Sequence, residues 1–390
     1  MQDKEKWVVT LHSSIHDIGI SAWDACAGSD NPFVSFGFLS ALEDSGSVSQ
    51  QNGWLVRHIA LRNEDGPILA VAPLYGKLHS WGEYVFDHSW AQAYEAAGGR
   101  YYPKFQCAVP FSPVPGPRLL VRPDVENKEE IAVALATGMV RAAEELSLSS
   151  VHATFCDDFS LKSFEKAGYL KRVGVQYHWY NEGYQSFDDF LNNLSSRKRK
   201  NIRKERKIAH EHGLTFVVKQ GHEITARDWA YFYKFYLGTV DKKWGSAYLT
   251  QDFFLLMAER LGNKVVLMLA EQEGEPVAGA LNLMGEDTLF GRNWGSVGEW
   301  PFLHFELCYY SAIDFAIANN LSKVEAGAQG EHKIQRGYLP SYTYSAHAII
   351  DAQLRKAVKA FLEQEAELIK QEAQVLAEYS PYRSNKEESL

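Results

Sequence analysis

The chain has 390 residues, 46% of them apolar, and a formal net charge of −9. That size makes two domains with real hydrophobic cores the default, and the acidic balance excludes a protein whose whole surface grips nucleic acid, so any basic site must be local. Cys26, Cys107, Cys156 and Cys308 stand far apart in sequence, which excludes a CxxC metal or redox motif, and no metal site is expected.

The start, "MQDKEKWVVTLH", has no apolar core of a secretory signal, and the longest apolar run, "IAVALATGMV" at 131–140, is too short to span a bilayer. A cytoplasmic protein without an integral membrane segment is expected, with a peripheral place at the inner membrane face left open. Residues 55–75, "LVRHIALRNEDGPILAVAPLY", read as two β-rich runs joined at Asp65-Gly66, a natural hairpin turn because glycine tolerates positive φ. "FDHSW" follows, with Asp87 and His88 as candidate cleft residues; a buried, hydrogen-bonded Asp-His pair is the competing reading. Residues 101–123 carry prolines at 103, 110, 113, 115, 117 and 123, so an ordered loop is expected there rather than an interior strand. A helical stretch, "KEEIAVALATGMVRAAEELSL", then leads to a strand, "SSVHATF".

A domain boundary is expected near 181–186, where Ser186 and Asp189 make a start similar to a capping box. Arg197 to Lys207 holds eight Lys or Arg residues against one Glu. A solvated basic helix is one reading; a phosphate site using Arg197, Arg199, Arg203 and Lys204, with Arg336 from further along, is the other. Residues 265–285 repeat the hairpin pattern of 55–75, with Glu273-Gly274 at the turn. "HFELCYYSAIDFAIANNL" has helical spacing and leads to the strand 323–327. His304 and Glu306 open that helix, where Glu306 complements the N-terminal dipole. After the strand comes "EAGAQGEHKIQRGYLP": Glu331, His332 and Lys333 lie in a glycine-rich turn. Lys333 is the candidate for stabilising an oxyanion, and His332 or Glu331 for taking a proton from an amine. Residues 353–379 read as an amphipathic helix and "NKEESL" as a frayed tail.

The two halves thus echo each other as hairpin, helix, strand. "LKSFEKAGYLKRVGVQYHWYN" resembles a segment of the GNAT acyltransferase superfamily, with Phe164 where many GNAT enzymes use an acidic tyrosine. The chain as a whole resembles the FemAB-like family of predicted N-acyltransferases, through "DNPFVSFGFLSALEDSGSV", "GEYVFDHSWAQAYEAAGGRYYPK", "PFSPVPGPRLLV", "SSRKRKNIRKERK", "FLHFELCYYSAIDFAI" and "EAGAQGEHKIQRGYLP". The resemblance implies an α/β fold of two tandem GNAT-like domains, placed at 1–182 and 183–352, followed by a C-terminal helix and tail at 353–390. It also implies transfer of an activated acyl or aminoacyl group to an amine acceptor, for which a peptidoglycan-type or lipid-linked precursor and a long-chain amine are candidates. Fem transferases carry an R-x-x-I-R-x-A type motif similar to "RKNIRKERK", although Glu205 stands where their small residue would be, and a lysine similar in place to Lys333. The glycine-rich pyrophosphate motif of acetyl-CoA enzymes is absent before the 303–320 helix. Acyl-CoA, an acyl-carrier thioester and aminoacyl-tRNA therefore all stay open as donor substrates, with no tightly bound cofactor. A non-catalytic module that recognises an anionic cell-wall precursor or RNA is the alternative.

Overall fold

The computed structural model describes residues 6–243, 247–327 and 330–383; the expected frayed tail and residues 328–329 of the glycine-rich turn lie outside them. The chain forms two compact units, 1–174 with 342–370, and 175–341 with 371–390. These divisions differ from the domain limits expected at 182/183 and 352/353.

In the first unit, one antiparallel sheet has the strand order β1 (Trp7–His12), β3 (His58–Asn63), β4 (Ile68–Ala72), β7 (Leu120–Val121). The β3–β4 hairpin turns at Asp65-Gly66 as its sequence requires. In a second sheet the order is β2 (Trp54–Val56), β5 (Leu74–Lys77), β6 (Lys104–Cys107), β8 (Ser150–Ala153), followed by residues 346–349 of the strand Leu339–Ile349. The 18-residue helix Lys128–Glu145 buries Ile131, Leu135, Ala136 and Met139, spaced for one helical face, against Ile59, Leu61 and Val151. Its first turn carries Glu129 and Glu130, which suit the positive end of the dipole.

Strand β6 corrects the expectation of a loop at 101–123. Lys104–Cys107 is a fully buried interior strand, hydrogen-bonded to β5 on one side and β8 on the other. The physical reason is local: the residues from 104 to 109 contain no proline, so every ladder N–H is available between Pro103 and Pro110.

In the second unit the strand order is β10 (Thr215–Gln220), β11 (Val265–Gln272), β12 (Glu275–Met284), β13 (Thr288–Ser296), β14 (Lys323–Glu325), then β9 (Leu170–Tyr180) through residues 178–180. The β11–β12 hairpin turns at Glu273 (φ 51°) and Gly274 (φ 81°), two left-handed residues matching the right-handed twist of the strands. The pair β13–β14 is parallel, and its crossover is the helix 303–318, which buries Leu307, Ile313 and Ile317 against Met268, Ala280 and Val324. Ser186 caps its helix as read, accepting from the Asp189 N–H at 3.1 Å. The amphipathic C-terminal helix spans Ala352–Glu378. Among the described residues no helix is long and apolar enough to cross a membrane. Both units repeat hairpin, helix and strand, in a mixed α/β fold of two similar halves.

Candidate functional site in the second unit

The site begins where a sheet comes apart. β13 and β14 pair for three residues only, Thr288–Phe290 against Lys323–Glu325. Past that point β13 continues to Ser296, while the chain after Glu325 turns away through Gly327 (φ 80°). Backbones are close at the fork: a Cβ on Gly291 would lie 3.1 Å from the Glu325 carbonyl oxygen.

Three elements meet beside the fork. The diverging part of β13 supplies Trp294. The helix 303–318 starts at Phe302, held left-handed at φ 62°, and winds residues Glu306–Tyr310 as a π-turn. Such a turn shifts the side chains that follow onto a new face, and it is frequent at functional sites. The third element is the short helical turn Glu331–Arg336, entered by Gly330 (φ 116°) and left by Gly337 (φ 93°).

Their side chains form one cluster. The Trp294 ring centroid is 5.2 Å from that of His304, which is 5.3 Å from Tyr309 and 6.4 Å from His332. Tyr309 Oη and His332 Nε2 are hydrogen-bonded at 2.9 Å. Partial burial, reinforced by Arg336 and Lys333 nearby, lowers the His332 pKa, so its imidazole is neutral at pH 7. Burial pushes the Tyr309 phenol above its ordinary range, so it stays protonated. Glu331 is exposed at the edge of the turn. Lys333 is buried, 2% exposed, and its ammonium donates to the Gly327 carbonyl at 2.9 Å, tying the turn to the end of the strand before it.

Arg336 is enclosed. Glu205, on the helix Ser196–His210, accepts from Arg336 Nε at 3.1 Å and Nη2 at 2.9 Å. Arg336 Nη1 donates to the His332 carbonyl at 2.8 Å, and the guanidinium lies 3.4 Å from the Phe305 ring centroid. Tyr310 donates to the same Glu205 carboxylate. Arg336, read from sequence as a phosphate ligand, thus has its guanidinium edges occupied by the protein itself. Glu205, which departs from the Fem-type motif, is the partner that accounts for this.

The basic helix divides by face. Ile202 and Ala209 are buried. Arg206, not singled out in the sequence, turns inward and grips Glu306 with two bonds, at 2.8 and 3.1 Å, and Asp314 at 2.8 Å. Glu306 is therefore buried and neutralised rather than presented to a ligand. Arg199 bonds Asn192 and Arg203 bonds Asp188, both toward solvent. Arg197, Lys200 and Lys204 are exposed.

Asp87 and His88 lie in the first unit and diverge. The Asp87 carboxylate is buried against Lys104 at 2.6 Å and Tyr101 at 2.7 Å, whereas His88 is exposed and stacks on Phe86. The expected Asp-His pairing of these two does not form, because adjacent residues at a helix start point in different directions.

The model of a family described as peptidoglycan biosynthesis/recognition, FemAB-like, matches residues 14–384. The chain belongs to the FemAB-like family. No functionally curated sequence matches this FemAB-like chain. Among solved structures it is similar to FemX, at 13% identity, covering 91% of this chain and all of that one, with a TM-score of 0.52. It is also similar to the C-terminal domain of a putative lysylphosphatidylglycerol synthetase from Agrobacterium fabrum, at 10% identity, covering 88% and 95%, with a TM-score of 0.54. A third is L-PGS from Bacillus licheniformis, at 11% identity, covering 82% and 94%, with a TM-score of 0.51. At these identities the likeness concerns the fold.

Proposed function

We propose that this FemAB-like protein is an N-acyltransferase that forms an amide by direct transfer of an activated acyl or aminoacyl group to an amine. The observation that carries the reading is the neutral His332 bonded to a protonated Tyr309 at the fork between β13 and β14. A neutral amine attacks through its lone pair and sheds one proton as the amide forms, and a neutral imidazole is the side chain suited to take that proton near pH 7.

In this mechanism His332 Nε2–H donates to the Tyr309 oxygen, leaving the Nδ1 lone pair as the base. The acceptor nitrogen attacks the donor carbonyl, a C–N bond forms, and its proton passes to Nδ1. The C–S or C–O bond of the donor then breaks, and the leaving group takes the Tyr309 proton, which is replaced from His332 Nε2. Lys333 places its positive charge under the turn and favours the oxyanion electrostatically. Arg197, Lys200, Arg203 and Lys204 face solvent and suit the phosphates of a donor such as acyl-CoA or aminoacyl-tRNA. The family's tie to peptidoglycan supports a cell-wall precursor as acceptor.

The test is turnover of acyl thioesters and aminoacyl-tRNA with a panel of amines, followed by mass spectrometry of the amide. Wild-type protein should form it and His332→Gln should not. Binding of donor and amine with no amide formed would instead make the chain a recognition module.

A further inference from the structure

The first unit buries a second charged cluster that the transfer chemistry does not use. Lys77 and Lys104 are direct cross-strand partners on β5 and β6, and both are fully buried. Like charges placed opposite each other repel, and an ammonium without water needs anionic partners. Those partners come from one connecting segment, residues 78–87. Lys104 donates to Ser80 at 2.8 Å, Glu83 at 2.8 Å and Asp87 at 2.6 Å. Lys77 donates to the Trp81 carbonyl at 3.1 Å, lies 3.6 Å over the Trp54 ring, and is 4.0 Å from Glu83 Oε1.

The fit is incomplete on the segment's side. Among the described residues, Glu83 Oε1 and Asp87 Oδ1 are buried and have no hydrogen-bond partner. Glu83 is 3% exposed and Asp87 2%. Burial drives the Lys77 pKa down to about 7 and that of Glu83 up to about 7, so this pair is under-compensated. On its outer face the same segment exposes Leu78, Trp81 and Phe86, and its backbone takes left-handed values at Gly82 (φ 79°) and Tyr84 (φ 61°). Opening it would return two unpaired carboxylate oxygens to water, but it would strip two neighbouring lysines of their counter-charges.

We infer that Lys77 and Lys104 form a binding site for a phosphate dianion, and that the segment 78–87 is a plug that occupies it with the chain's own Glu83 and Asp87 carboxylates. A phosphate group supplies several acceptor oxygens on one centre, enough for two adjacent ammonium groups. It binds when the plug lifts, and its apparent affinity is the intrinsic one reduced by the open fraction. This site lies within the first unit.

Phosphate titration at fixed ionic strength, followed by amide hydrogen exchange of residues 78–87, tests the inference. Phosphate should raise exchange in this segment saturably, and sulfate should do the same if any tetrahedral dianion suffices. Glu83→Gln removes one charge-assisted bond of the plug, so phosphate should bind about tenfold or more tightly to it. Lys77→Met keeps the stem packed on Trp54 and should abolish the effect while leaving the fold intact by circular dichroism. Exchange unmoved by phosphate in both wild type and Glu83→Gln, or equal phosphate affinity in Lys77→Met, would make the cluster a purely structural ion network.

Discussion

Replacing Glu205 with alanine strips Arg336 of its carboxylate while leaving it buried. The side chains of Arg336 and Glu205 are 9% and 17% exposed, so the guanidinium cannot recover its lost bonds from bulk water without movement. Breaking a buried pair by removing one partner costs roughly 3–5 kcal/mol, and the residual exposure of Glu205 argues for the lower end, about 3 kcal/mol. Tyr310 also loses its acceptor. For a unit of this size that corresponds to a fall of about 6–12 °C in melting temperature. Removing both charges, in Glu205→Ala/Arg336→Met, leaves no unpaired ion, so the double variant should be more stable than the sum of the singles by about 2 kcal/mol. Urea unfolding of the four proteins, read by circular dichroism, gives the cycle. Because Arg336 holds the His332 carbonyl, Arg336→Met should also lower kcat more than it raises KM. Strictly additive singles, or a Glu205→Ala protein as stable as wild type, would refute the pair's role as a brace for the turn.

Lys333→Ala should fold and lose about 10²–10³ in kcat, the usual loss for an oxyanion partner, and Lys333→Arg should not recover it because a planar guanidinium cannot occupy the same point; wild-type turnover by Lys333→Ala would remove Lys333 from the mechanism. The lowered pKa of His332 makes the neutral base the dominant form above its ordinary value of 6.5. The rate should therefore fall only as pH drops below 6.5 and the imidazole protonates; a wild-type pH–rate profile that stays flat through that range would remove His332 as the base. Neutralising Arg199, Arg203 and Lys204 together should weaken donor binding and flatten its salt dependence, measured by titration at several salt concentrations. Unfolding should change by less than about 1 kcal/mol per residue, since the ion pair of Arg203 is exposed.

The framework of the fold was legible because it rests on local chemistry. Asp65-Gly66 and Glu273-Gly274 demand tight turns, Ser186 demands a helix start, and the 303–318 stripe demands a buried helical face. Strand β6 was hidden because proline density around it masked a short free interval. In the site, His332 and Lys333 were visible from the glycines around them, but Tyr309 was not. Its spacing placed it on the apolar stripe of the helix, and the π-turn that brings its hydroxyl to His332 leaves no mark in residue periodicity. Arg336 and Glu205 are 131 residues apart, and a pairing over that distance is set by tertiary packing. The same holds for Lys77 and Lys104, which meet only through strand register.

The first unit is interrupted in sequence, with residues 175–341 lying between its two parts. Strand β8 receives its antiparallel neighbour from residues 346–349, and Leu354, Val358 and Leu362 cover Trp90 and Tyr101. During synthesis, then, the segment made first cannot close its sheet until the second unit has emerged from the ribosome. An expression fragment cut at 182 would leave the β8 edge unpaired and the Trp90 surface bare, a state that invites association between chains. Fusing residues 342–370 to residues 1–174 through a short linker reproduces the complete set of strands, and it is the boundary to use when the first unit is produced alone.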